Sequence, residues 1–384
     1  MTKNTKVIVG MIVVVAIVAI GYFATKGPSE PVSTEPIKIG ATLALSGNLA
    51  YIGEAERNGL VLATDEINTS GGIKRRPIEL VIEDNQGDAK TAVTNVNKLI
   101  SLDKVDVIFS AFTHITDAVK ALAADNNKVL LYAASVRSIA QENKLFFRDY
   151  FDAEDFGKTI AYLVSQKGYK SVNFLTEVSA ACLPYENSFN DEAQKLGIKV
   201  VTRESYDPKA TDLRTQLTKI KSSKADALVL CAWRHEHILM PQLKALGMIN
   251  TPVFHTVAPF LPVADTQEMR DLFSENKAIS TWYGTIKPEK SVQFTKKYFD
   301  KYNFNPRPES FFAYDNIYVL ADAIKNCLSD KLTAIDSQCV ADELLKTNYD
   351  GVSGKLSFDK DGLSTRDIVI IEAKDGKWEE VSAK

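Results

Sequence analysis

The sequence carries no excess of either charge. Its 46 basic residues against 49 acidic leave a formal net charge of −3, so the electrostatic footprint of a nucleic-acid binder is missing. Enzyme signatures are missing too. There is no G-x-S-x-G, no H-E-x-x-H, no G-x-x-x-x-G-K-[ST], and no G-x-G-x-x-G after a strand. Gly47 and Gly53 are too few to build a phosphate-binding nest in the small-residue turn between Ser46 and Gly53. Only one long uncharged run occurs, so the chain is not itself a channel.

That run, Val7 to Ala24, follows Lys3 and Lys6 and is long enough to span a bilayer. It holds no cysteine for a lipid anchor. It is expected to be an uncleaved membrane anchor with the basic end inside, or else a signal peptide cut near Ala19-Ile20-Gly21. Either way the body is exported. Pro28, Pro31 and Pro36, set among Ser, Thr and Glu, make a semi-rigid stalk. Export makes the four cysteines disulfide candidates. Cys327 and Cys339 are close in sequence across a helix–loop–helix, and Cys182 and Cys231 both follow strands. The latter pairing is feasible if those strands are neighbours; buried free thiols are the alternative.

What is present is a repeated strand–helix pattern. Ile37, Ile39, Ala41, Leu43 and Leu45 alternate as a strand, and Leu60, Ala63 and Ile67 mark one face of the helix that follows. A strand from Ile78 to Ile82 and a helix capped by Asp88 complete a βαβ unit, which demands a parallel sheet. Further strands are expected at Val105 to Phe109 and Val129 to Ala133, with a helix from Ile115 to Asn126 between them. After Phe146 the pattern starts again: helix Phe156 to Gly168, strand Val172 to Thr176, helix Tyr185 to Leu196, strand Ile198 to Tyr206, helix Thr211 to Lys221 and strand Ala227 to Cys231. The expectation is an α/β fold with two doubly wound, Rossmann-like lobes, whose facing carboxyl strand ends define one cleft.

Leu45-Ser46-Gly47, Gly53, Asp65-Glu66-Ile67-Asn68, Gly71-Gly72-Ile73, Glu83-Asp84 and Val96-Asn97-Lys98-Leu99-Ile100 occur in order. This series resembles the opening of the leucine/isoleucine/valine-binding proteins, the substrate-binding subunits of branched-chain amino-acid ABC importers. The resemblance runs through the whole chain from Ile37 and implies the type I periplasmic-binding fold. It assigns residues 37–150 and 284–350 to a first lobe and 151–283 and 351–384 to a second, joined by a three-segment hinge.

The same resemblance nominates a site. Thr113 at a helix start and Ser135, with Ala133 or Ala134, match the loops that hold a ligand carboxylate; plain helix capping is the alternative reading. Tyr185 and Trp233 match aromatics of the second wall, while Ser46 and Tyr51, beside Ile52 at a tyrosine position, belong to the first. Relatives pair the ligand ammonium with an acid where this chain reads His255-Thr256-Val257-Ala258-Pro259. Glu177, Glu186 or Asp265 could substitute, or the ligand could lack an amine. His114, His235, His237 and His255 all fall in expected cleft loops. Their placement in different lobes, and the two-residue step from His235 to His237, argue for polar lining, with His114 and His255 facing ligand, rather than for zinc. No cofactor is expected. Tyr314 and Asp315 read as structural.

The resemblance thus implies a monomeric, extracytoplasmic protein, which the apolar run Val7–Ala24 is expected to tether to the membrane. It would capture a small amino acid, or a related carboxylate or amide, by hinge closure and pass it to an ABC permease. The alternative is a ligand-sensing subunit of a signalling receptor with the same fold, and an enzyme on this scaffold is not expected.

Overall fold

A computed structural model describes residues 35–150, 152–179, 182–232, 235–255, 266–282, 289–328, 334–366 and 368–381. Val7–Ala24 and the stalk up to residue 34 lie outside the described residues, among which no helix is long and apolar enough to cross a membrane.

The first half builds β1 (Ile37–Leu43), α1 (Ala50–Thr69), β2 (Ile78–Asp84), α2 (Ala89–Ser101), β3 (Val107–Ala111), α3 (Thr113–Asp125), β4 (Val129–Ala133), α4 (Ser138–Gln141) and β5 (Phe146–Arg148). Its sheet runs β2-β1-β3-β4-β5, all parallel. Both central strands, VIFSA and VLLYA, are buried along their whole length because helices cover both faces. Asp88 caps α2 as expected, its carboxylate accepting from Thr91 N at 2.7 Å. The third strand starts two residues later than expected and the next helix two residues earlier. The β–α turn is therefore tighter, and Thr113 is the first helical residue.

The second half builds α5 (Ala153–Gln166), β6 (Ser171–Glu177), α6 (Cys182–Lys195), β7 (Lys199–Tyr206), α7 (Arg214–Ser223), β8 (Ala227–Cys231), α8 (Glu236–Ala245), β9 (Val253–His255), α9 (Gln267–Glu275) and β10 (Ile279–Trp282). Helices α10 (Glu289–Tyr302), α11 (Pro308–Cys327) and α12 (Ser337–Leu344) follow, then β11 (Asn348–Gly351), β12 (Gly354–Phe358), β13 (Ser364–Thr365), β14 (Val369–Lys374) and β15 (Lys377–Val381). The second sheet runs β15-β14-β10-β9-β8-β6-β7, with the hairpin β14–β15 closing its edge antiparallel.

Each sheet has its own core. The first gathers β1 to β5 with Phe294, Tyr298, Ile317, Leu320 and Ile324 of α10 and α11. The second sheet is covered on its two faces by separate clusters, one around Phe174 and Phe189, the other around Leu217, Leu239 and Phe273. The segment 351–365 departs from the expected lobe boundary. Its apolar residues Val352, Leu356, Phe358 and Leu363 pack into the first core, with Phe358 edge-on to Phe147 at 5.3 Å. The chain rejoins the second sheet only at Val369.

Both cysteine pairs are disulfides, Cys182–Cys231 and Cys327–Cys339, so the free-thiol alternative falls. The first pairing follows from β6 and β8 being neighbours.

Candidate functional site

The carboxyl ends of the two sheets carry the candidate groups. At the end of β1, Ser46 donates its hydroxyl to Asp84 at 2.6 Å, and the same carboxylate accepts from Leu45 N and Gln86 N. Desolvation works against ionisation of Asp84. The hydrogen bonds from Ser46, Gln86 and Leu45 outweigh it and hold the carboxyl below its usual range. Ser46 has thus spent its proton locally and offers a ligand only its lone pairs. Tyr51, in the first turn of α1, lies under the Arg307 guanidinium at 4.9 Å and packs against the second lobe's cluster around Leu217. It bridges the lobes.

The start of α3 carries no side-chain cap, a feature it shares with α1, α4, α7, α8 and α11, and what sets it apart is the turn before it. Side chains of Asp88, Asp152, Thr266 and Asp336 cap α2, α5, α9 and α12, whereas no side chain caps α3. The residue before it, Phe112, has φ +66° and ψ 139°, a conformation that bulky L residues rarely adopt. That turn is tied to the adjacent strand by Phe112 N donating to Ala133 O at 2.9 Å. Ser110 and Thr116 bond to each other inside the lobe, at 2.9 Å. Thr113, half-buried at the first helical position, and Ser135, buried just past β4, make no side-chain hydrogen bond among the described residues. Ala133 and Ala134 line the same turn with little side chain to obstruct it. Open N–H groups, a helix N-terminus and two unspent hydroxyls converge here, a combination that suits an anion. His114 is exposed, its Nε2 3.1 Å from Gly87 O.

Paired acids and histidines stand at the carboxyl ends of the second sheet. Glu177, the last residue of β6, stands 3.2 Å from His235 Nδ1, and Glu236, the first residue of α8, stands 3.2 Å from His255 Nε2 at the end of β9. All four are buried, and the Tyr206 ring meets His235 edge-on at 5.0 Å. These four groups sit at the carboxyl ends of three adjacent strands, β6, β8 and β9, so they form a row along that edge. Among the described residues no group of three or more His, Cys, Asp or Glu is placed to hold a metal.

Sequence reasoning misplaced Tyr185. It lies in α6, not in a loop, and turns into the second lobe's core beside Phe174 and Phe189. Burial, with the charge of Glu186, raises its hydroxyl well above the ordinary range, and that hydroxyl finds no partner among the described residues. Tyr185 is the fourth residue of a helix that starts at Cys182, three residues before the expected start, and not the last residue of a loop. Glu186 is taken up by Arg203 at 2.6 Å, so of the substitute acids Glu177 alone is seen at the edge. Trp233 and Asp265 lie outside the described residues. Glu236 escaped sequence reasoning; its signal was an acid directly following a histidine at a helix start.

Comparison with known proteins agrees with this fold. The chain resembles the Leu/Ile/Val-binding protein homolog 7 of Brucella abortus, 26% identical over 250 residues, which are 59% of either chain. It thus spans about three-fifths of the length of such curated relatives. The branched-chain amino-acid transporter substrate-binding protein LivJ of Streptococcus pneumoniae, solved with isoleucine, superposes with TM-score 0.78 at 27% identity. That match covers 90% of this chain and 99% of the other. The leucine-binding protein LivK of Thermotoga maritima superposes with TM-score 0.77 at 22% identity, covering 90% and 98%, and so supports the fold alone. A profile described as periplasmic binding protein matches residues 36–377, nearly all of the sequence after the apolar run. The chain belongs to the periplasmic binding protein family.

Proposed function

We propose that the protein is the extracytoplasmic solute-binding subunit of an ABC importer. It takes a small amino acid between its lobes, closes on it and presents it to a permease. The observation that carries this reading is the uncapped start of α3, with the unspent hydroxyls of Thr113 and Ser135 beside it, which fits a carboxylate. The 27% identity to LivJ, solved with isoleucine, makes branched-chain amino acids the first candidates. The row Glu177, His235, Glu236 and His255 on the facing wall offers acceptors for an amine although the loop after β9 carries no acid from Thr256 to Phe260. The family is one of binding proteins rather than enzymes. In this reading Val7–Ala24 tethers the protein to the membrane's outer face, and a single chain suffices for the site.

The test is isothermal titration and thermal shift of the exported body with L-isoleucine, L-leucine and L-valine. Matched acids without the amine and amides without the acid complete the set. Selective stabilisation by the intact amino acids supports the reading. Stabilisation by deaminated acids alone would overturn the amino-acid assignment, and no shift with any carboxylate would overturn the role of α3.

A further inference from the structure

Arg137 stands in the loop that leaves β4, two residues beyond Ser135 and one before α4. Its side chain reaches across to the first turn of α5, where the second lobe begins. Nε donates to Asp152 Oδ2 at 2.6 Å, while Nη2 lies 3.4 Å from Asp155 Oδ1 and 3.8 Å from Glu154 Oε2. Asp152 is a joint between the lobes. Its Oδ1 accepts from Glu154 N at 2.8 Å and so caps α5, and its Oδ2 also lies 3.2 Å from Arg148 Nη1 at the end of β5. The carboxylate, with a side chain 4% exposed, is gripped by two arginines of the first lobe while it starts a helix of the second.

Helix α5 is committed to the second core through Ala153, Phe156 and Ile160. Asp149, just upstream, is clamped by Arg366 through two bonds of 2.7 and 2.8 Å. Asp149 is thus held on the first lobe's side and Ala153 on the second's, so a turn of one lobe on the other moves the α5 acids relative to Arg137. Besides Arg137 and Arg148, Lys158 lies 3.8 Å from Asp155 on the same helix.

We propose that Arg137 is an interlobe latch, which joins the loop bearing Ser135 to the acidic start of α5 and biases the lobes toward closure. The ligand-affinity arm of this proposal rests on the reading of that loop as ligand-facing; the closure arm does not. A charge-assisted bond to a carboxylate already withdrawn from water is far stronger than an exposed pair, so one residue outside the cleft can shift the population of the binding-competent state.

The test measures interlobe distances by double electron–electron resonance on the full chain, with spin labels on exposed positions of both lobes. Wild type, Arg137→Gln and Asp155→Asn are compared with and without L-isoleucine. Arg137→Gln should lengthen the ligand-free distances and weaken isoleucine binding about tenfold through faster dissociation. Asp155→Asn, on the exposed face of α5 and harmless to folding, should act in the same direction with smaller size. Ligand-free distances identical to wild type in both variants overturn the latch, even if binding falls. Failure of isoleucine to bind wild type would instead defeat the ligand assignment, and the ligand-free distances would still decide the latch.

Discussion

At the scale of single residues, Asp315 shows how a buried charge serves the hinge. It sits on α11, fully buried, and its carboxylate accepts from Val352 N at 2.9 Å, from Ser353 N at 2.8 Å and from the Ser353 hydroxyl. Gly351 is required beside it, because a Cβ there would lie 2.3 Å from the carboxylate. Desolvation pushes the carboxyl up to about 6, against the nearby Arg366 charge and the hydrogen bonds of Ser353 and Val352. A folded-state value above the unfolded one means that the native chain binds this proton more tightly. Its contribution to stability is then complete below pH 4 and is lost as pH rises through 6. Asp315→Asn cannot titrate. Relative to wild type it should gain about 3 kcal/mol between pH 4 and pH 7, read from urea unfolding midpoints at each pH. A constant difference between the two proteins across that range would show that Asp315 stays ionised throughout.

At the scale of elements, helix starts and chain crossings divide the labour. Side chains close the starts of α2, α5, α9 and α12, whereas α3, like α1, α4, α7, α8 and α11, has no side-chain cap, and only at α3 do the free hydroxyls of Thr113 and Ser135 make the open start a proposed carboxylate site. Ser135→Ala and Thr113→Val should each weaken binding of L-isoleucine by about 1 to 2 kcal/mol, measured by titration calorimetry, and should barely affect isoleucine amide. Equal losses for acid and amide would remove these hydroxyls from the carboxylate. The parallel sheets, the Asp88 cap and the lobe-forming repeat were legible in the sequence because each rests on local periodicity or on a short-range hydrogen bond. The crossing network was not. Arg366 meets Asp149 across 217 residues and also donates to the Ser353 hydroxyl at 2.6 Å, and no local pattern announces such a partnership. The turn of Tyr185 into the core was lost for a related reason: at a strand–helix junction, whether a residue stands in the loop or in the first turn of the helix is decided by packing, here against Phe174 and Phe189, rather than by local pattern. Strand β12 alternates as any half-buried strand does, so nothing in its own sequence says which core it joins.

At the scale of the whole molecule, the two disulfides occupy opposite functional positions, and this separates stability from binding. Cys339 joins α12 to the last residue of α11, a helix whose start lies at the cleft, where Arg307 covers Tyr51. Twenty residues of helix put that disulfide about 30 Å from the cleft end. Cys182–Cys231 instead ties the first residue of α6 to the last of β8, so it joins the two chain segments that flank Glu177 and His235 on the second wall. Chain-entropy reasoning gives both crosslinks weight, about 3 kcal/mol for the 12-residue separation and about 4 kcal/mol for the 49-residue one. Their effects on ligand should differ in kind. Cys327→Ala with Cys339→Ala should lower the melting temperature and leave isoleucine affinity within about twofold of wild type, because additive effects are expected for distant sites. Cys182→Ala with Cys231→Ala should lower both, since the row of acids and histidines loses the crosslink that fixes its spacing. Calorimetric titration of the two double variants, at a temperature where each is folded, checks this. Equal affinities would mean that β6 and β8 hold the second wall by their ladder alone, and that this disulfide, like its partner, acts only on the unfolded chain.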